Sequence, residues 1–157
     1  MGPPPFQALL DDHADDVLRF LVACVGPHEA DDCFQETFVA ALRAYPRLRR
    51  GSNVRAWLLT IAHRKAIDAH RARGRRPVPV ADAGSHSTME SPGERDGDDA
   101  GLWHDVGALP QRQRAAVALR FVCDFSYRDI GRAIGCTEPA ARRNVYEGLE
   151  RLREGRT

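Results

Sequence analysis

The 157-residue chain has no apolar run approaching the roughly 20 residues needed to cross a bilayer, so no membrane insertion is expected. Its first residues, Met1 to Pro5, lack the charged and apolar regions of a signal peptide, which predicts a cytoplasmic protein. The four cysteines, Cys24, Cys33, Cys123 and Cys136, show no Cys-x-x-Cys spacing and sit at apolar or turn positions. Reduced thiols, mostly packed in cores, are the expectation, with a thiol switch or a zinc site as the alternative. Also missing are a His-Glu-x-x-His motif, a phosphate-binding loop and a serine elbow. His13, His63, His70 and His104 are scattered among acids without any such spacing. The expectation is a non-enzymatic protein without metal or cofactor.

Large apolar side chains are nearly absent from residues 77 to 101, which are rich in Pro, Gly, Ser and Asp. Such a stretch cannot build a core and is predicted to be a flexible linker. Charge divides the chain at the same place. Residues 1–76 carry 12 Lys or Arg and 9 Asp or Glu, residues 77–105 carry 1 and 7, and residues 106–157 carry 10 and 6. The overall +1 therefore hides net charges of +3, −6 and +4, a basic, acidic, basic order. Two small helical domains follow, 1–76 and 105–157, joined by an acidic linker over 77–104. At about 75 and about 50 residues, each is only marginally stable alone.

What is present is clearest from Phe125 to Tyr146, which reads as two short capped helices joined by a glycine turn. Ser126, with Asp129 three residues later, is a variant capping box, and Ile130 and Ile134 share the face that follows it. Gly135 stands where a left-handed residue stops the first helix. Thr137 is placed to cap the second, with Glu138 and Pro139 in its first turn. Ala141, Val145, Leu149 and Leu152 make an apolar stripe that leaves Arg142, Arg143, Asn144 and Tyr146 pointing outward. This is the pattern of a helix-turn-helix, whose second helix suits a DNA major groove. A helical hairpin with a basic face that never touches DNA is the plainer alternative.

In the N-terminal part, Phe6, Leu10, Val17, Leu18 and Leu21 are spaced for one helical face, and Gly26 with Pro27 ends that helix. A second helix is predicted from about Glu29 to Tyr45. Its apolar side is Ala30, Cys33, Phe34, Phe38, Ala41 and Leu42, and Asp31, Asp32, Gln35 and Glu36 crowd the opposite side. A third helix presents Val54, Trp57, Leu58 and Ile61 to a core. Its remaining face and tail carry Arg55, His63, Arg64, Lys65, Arg71, Arg73, Arg75 and Arg76, with Asp68 as the only acid. That density of cations favours a phosphate backbone over a merely solvated face. Trp57 is expected in the core, with base stacking as the alternative.

Three stretches, Asp31-Asp-Cys-Phe-Gln-Glu-Thr-Phe38, Arg55 to Asp68 and Leu109 to Arg120, followed by the helix-turn-helix, together resemble the extracytoplasmic-function sigma factors of bacterial RNA polymerase. The resemblance covers nearly all of both domains in order, and it implies an all-α protein with one domain for the promoter −10 element and one for the −35 element. It further implies that Asp31, Asp32, Gln35 and Glu36 dock on the clamp helices of the β′ subunit, where an acidic face suits an arginine-rich partner. Arg55, His63, Arg64, Lys65 and Arg71 would contact the melted −10 strand, whose extruded bases are repaid by stacking and phosphate contacts. Thr137, Ala140, Arg142, Arg143, Asn144 and Tyr146 would read the −35 element, with the β flap as a second polymerase contact. The acidic linker would either imitate nucleic acid in the RNA path or serve as a tether. An anti-sigma factor is the further partner that the resemblance brings into view.

The chain departs from the family pattern at several positions. His63-Arg64 stands where Arg-Asn is common, Pro139-Ala-Ala141 where Gly-Thr-Val is usual, and Glu147 where a basic residue is frequent. The −10 and −35 base preferences are therefore not carried over. The competing function is a stand-alone helix-turn-helix regulator that binds duplex DNA without polymerase. Such a regulator needs neither the acidic face nor a second basic domain.

Overall fold

A computed structural model describes residues 5–49, 51–75 and 97–155, and most of the expected linker lies outside these residues. The described residues form seven α-helices and one 3-10 turn, with no strand. In order they are α1 (Phe6–Val25), α2 (Pro27–Ala44), the 3-10 turn Tyr45–Arg47, α3 (Val54–Arg75), α4 (Gly97–Gly107), α5 (Gln111–Phe121), α6 (Tyr127–Ile134) and α7 (Glu138–Glu154).

The first three helices pack on one another as a bundle. Gly26, at φ 84°, ends α1 in a conformation that side chains disfavour, and Pro27 opens α2 where no amide donor is needed. Asn53 starts α3 by accepting a hydrogen bond from the Ala56 amide at 3.1 Å. Phe20, Leu21, Leu58 and Leu59 are fully buried between the helices, each contributing about 1.5–3 kcal/mol of apolar transfer. Phe6 meets Phe38 and Tyr45 edge-on, with centroids 6.3 and 5.6 Å away, which ties the start of α1 to the end of α2. One expected core position of α2 is exposed. Leu42 is 55% exposed, and the α2 stripe instead closes with Thr37, whose hydroxyl satisfies itself on the Cys33 carbonyl at 2.6 Å.

Helix α4 begins at Gly97, inside the stretch expected as linker, so the end of that stretch is helical. The reason is visible in the spacing. Val106 is buried and packs with Leu109, Val117 and Leu152, while Leu102 is half-buried one turn earlier.

Helix α5 decides the tertiary arrangement. Five successive residues, Ala115 to Leu119, are buried, so this helix has no solvent side at its middle. A helix buried all round must be covered on more than one face. α6 and α7 cover one part, and α1 of the N-terminal bundle covers another, while α6 also packs on α3. The two domains expected to be separate thus share one apolar cluster, running from Leu9 and Leu58 to Leu119, Ile130 and Val145.

Candidate nucleic-acid and polymerase interfaces

On α2, Asp31, Asp32, Gln35 and Glu36 are all exposed, opposite the buried Ala30, Cys33, Thr37 and Phe38. Their charge is felt inside the helix. The Cys33 thiol is pushed up to about 11, first by burial and then by Glu29, Glu36 and Asp32. Val39 and Leu42, 49% and 55% exposed, prolong the same face by two turns. Sequence reasoning missed them as surface residues, although Val39 stands three and four positions after Glu36 and Gln35.

The third helix is less uniform than its composition implies. Arg64 and Arg71 are exposed and Lys65 is half-buried, as a free basic face requires. Arg55 and His63 are not on that face, which corrects the expectation. Both sit four residues from Leu59, on its buried side. Arg55 pairs with Asp16 at 2.8 Å, donates to the Cys123 carbonyl, and lies 5.0 Å from the centre of the Phe125 ring. His63 is 5% exposed, and burial, with Arg112 and Arg64 nearby, lowers its pKa to about 4. Residues of the C-terminal domain therefore bond Arg55 and add to the positive potential at His63.

In the helix-turn-helix the expected caps form. The Asp129 amide donates to Ser126 Oγ at 3.1 Å, and the Ala140 amide to Thr137 Oγ1 at 3.2 Å. Gly135 adopts the left-handed conformation at φ 75°. Two close approaches set the angle between helices. A Cβ on Gly131 would lie 2.6 Å from the Cys136 carbonyl oxygen, and one on Gly148 would lie 2.7 Å from Val117 Cγ2. The outer face of α7 carries Arg142, Arg143 and Tyr146, exposed, with Thr137 exposed at its start and Ala140 and Asn144 half-buried beside them. Glu147 accepts a hydrogen bond from Gln113 at 3.3 Å, which turns this acid towards α5.

Burial pushes the thiols of Cys24 and Cys123 up to about 12, so both are protonated packing groups at neutral pH. Among the described residues no helix is long and apolar enough to cross a membrane.

Residues 9–76 match Sigma-70 region 2, and residues 106–152 match Sigma-70, region 4. Over 153 residues the chain is 34% identical to the RNA polymerase sigma factor CarQ of Myxococcus xanthus, an alignment covering 95% of this chain and 87% of CarQ. The chain belongs to the extracytoplasmic-function sigma factors. This sigma factor is also 34% identical over 149 residues to the ECF RNA polymerase sigma factor SigD of Mycobacterium tuberculosis, covering 88% of this chain and 70% of SigD. Its structure superposes on the sigma factor RpoE in complex with the anti-sigma factor NepR from Bartonella quintana, with a TM-score of 0.76, 26% identity, and 95% and 94% of the two chains covered. CnrH, in complex with the cytosolic domain of CnrY, shares the fold at a TM-score of 0.71 and 20% identity, over 95% of this chain and 85% of that one. As a sigma factor the protein is not an enzyme. It binds RNA polymerase, directs it to promoter DNA and thereby starts transcription.

Proposed function

We propose a division of labour within this sigma factor that follows its charge. Residues 1–76 bind polymerase core and the −10 element, residues 77–104 connect, and residues 105–157 bind the −35 element and the β flap. Asp31, Asp32, Gln35 and Glu36 dock on the clamp helices of β′. The observation that carries this reading is the exposed acidic face of α2, since a protein acting on DNA alone gains nothing from anions turned to solvent beside a basic helix.

Arg64, Lys65 and Arg71 hold the −10 strand, and Arg55 and His63 join them when the C-terminal domain moves away. Thr137, Ala140, Arg142, Arg143, Asn144 and Tyr146 face the −35 major groove. The protein acts in the cytoplasm, where the polymerase is. Its likeness to RpoE, which is held by an anti-sigma factor, supports control by such a partner.

The test is a titration of promoter duplex with this protein at one stated salt concentration, with and without polymerase core, followed by permanganate probing of unpaired thymines. Specific binding and strand opening are expected only with core, because core fixes the two domains and makes the second DNA contact intramolecular. Tight, specific duplex binding by the free protein, without strand opening when core is added, overturns this reading in favour of a stand-alone regulator.

A further inference from the structure

Tyr127, the first residue of α6, is half-buried against the core, and two guanidinium groups share its ring. Arg120 lies 4.3 Å from the ring centroid and Arg142 lies 5.0 Å from it. Arg120 is itself fixed, because its Nη1 donates to the Phe125 carbonyl at 2.8 Å. Among the described residues Arg142 also pairs with Glu138, at 3.8 Å, through side chains that are 64% and 52% exposed. Water and salt screen a pair so open, so it holds the arginine loosely. The ring is the better constraint, since it attracts a cation over its face and is anchored in the core.

An exposed arginine on a recognition helix has many rotamers, and contact with a base freezes them. A planar guanidinium already resting on a ring has fewer left to lose. We propose that Tyr127 is a positioning residue for −35 recognition. Its ring, held in place by the core and by Arg120, orients the Arg142 guanidinium towards the groove without touching a base. This inference rests on the assignment of α7 as the helix that reads the −35 element.

The experiment uses holoenzyme and a set of promoters substituted one base pair at a time in the −35 element. Arg142→Ala is expected to relax preference at one base pair. Tyr127→Leu relaxes preference at that same base pair and weakens binding by about 2- to 5-fold, the range of an exposed cation–π contact. Tyr127→Phe keeps the wild-type preference, because it keeps the ring. Added to Arg142→Ala, Tyr127→Leu has no further effect.

If Tyr127→Leu does not fold, a fluorinated phenylalanine placed at position 127 retains the shape and weakens the ring quadrupole, and it reproduces the loss at an unchanged melting temperature. A loss that persists undiminished in the Arg142→Ala background overturns the positioning role. So does a Tyr127→Phe variant as defective as Tyr127→Leu, which would point to the hydroxyl. If Arg142→Ala changes preference and neither ring variant does, only the positioning role fails. If Arg142→Ala itself changes nothing, the reading of α7 fails with it.

Discussion

The Arg114 guanidinium donates a hydrogen bond to the carbonyl oxygen of Cys24 at 2.6 Å, joining α5 to the end of α1 across 90 positions of chain. Cys24 lies in the last turn of α1, whose carbonyls have no intrahelical partner, and a cation there also complements the helix dipole. The same guanidinium donates to the Leu109 carbonyl at 2.9 Å and meets His70 Nε2 at 2.5 Å. Burial and then Arg114 lower the His70 pKa, against a smaller opposing effect of the Cys24 carbonyl. His70 Nε2 also lies 3.2 Å from the Cys24 oxygen, so Arg114, His70 and the end of α1 form one cluster.

Arg114→Met is expected to cost about 1.5–3 kcal/mol, as for hydrogen bonds from a charged donor, by leaving the Cys24 carbonyl without its cation. It should also loosen the packing between the domains. Urea unfolding reads the first effect, and an increase in radius of gyration by X-ray scattering reads the second. A variant as stable and as compact as the wild type would show the bridge to be incidental.

His63 makes stability depend on pH. Its pKa falls from 6.5 unfolded to about 4 folded, through burial first and then Arg112 and Arg64. Above pH 6.5 the ring is neutral in both states and costs nothing. As pH drops from 6.5 towards 4, the unfolded chain takes up a proton that the folded one refuses, and stability is lost, by on the order of 3 kcal/mol once both forms are protonated. The urea midpoint should fall between pH 7 and pH 5 in the wild type and fall less in His63→Gln. Equal slopes for the two proteins would mean that His63 is not the group responsible.

Two glycines hold the DNA-binding unit together by what they lack. Gly131→Ala drives a methyl group against a backbone carbonyl at 2.6 Å, which cannot rotate away, whereas Gly148→Ala presses on a side-chain methyl of Val117 at 2.7 Å. Overpacking of this kind costs about 1–3 kcal/mol, and Gly131→Ala should be the worse of the two. Melting temperatures of the two full-length variants give the order directly.

Reversing charge at Asp32 and Glu36 together to Lys is expected to abolish binding to polymerase core while leaving the melting temperature within a few degrees. Both residues are exposed and lie off the buried stripe of α2. Leu42→Asp, on the exposed apolar extension of that face, should weaken core binding without reversing any charge. Pull-down with core enzyme measures both, and undiminished binding by the folded double variant would sink the docking assignment.

Local chemistry was enough to place the elements that depend on neighbours in sequence. Ser126, Gly135 and Thr137 act through backbone groups within a few residues, so the helix-turn-helix and its caps were legible before any fold was known. The acidic face of α2 was legible too, because helical period and charge agree there. That Arg55 and His63 lie on the buried side of α3 was not legible, because residue type alone does not give the side of the helix that a neighbour covers. Arg55 is held by Asp16, Cys123 and Phe125, partners 39, 68 and 70 positions away in the chain, which no local pattern encodes. The run Ala115 to Leu119 says that a helix is buried but not by what. Only the tertiary structure shows that α1 of the N-terminal bundle completes the cover that α6 and α7 begin, because burial is a property of both partners, and this one lies some hundred residues earlier in the chain.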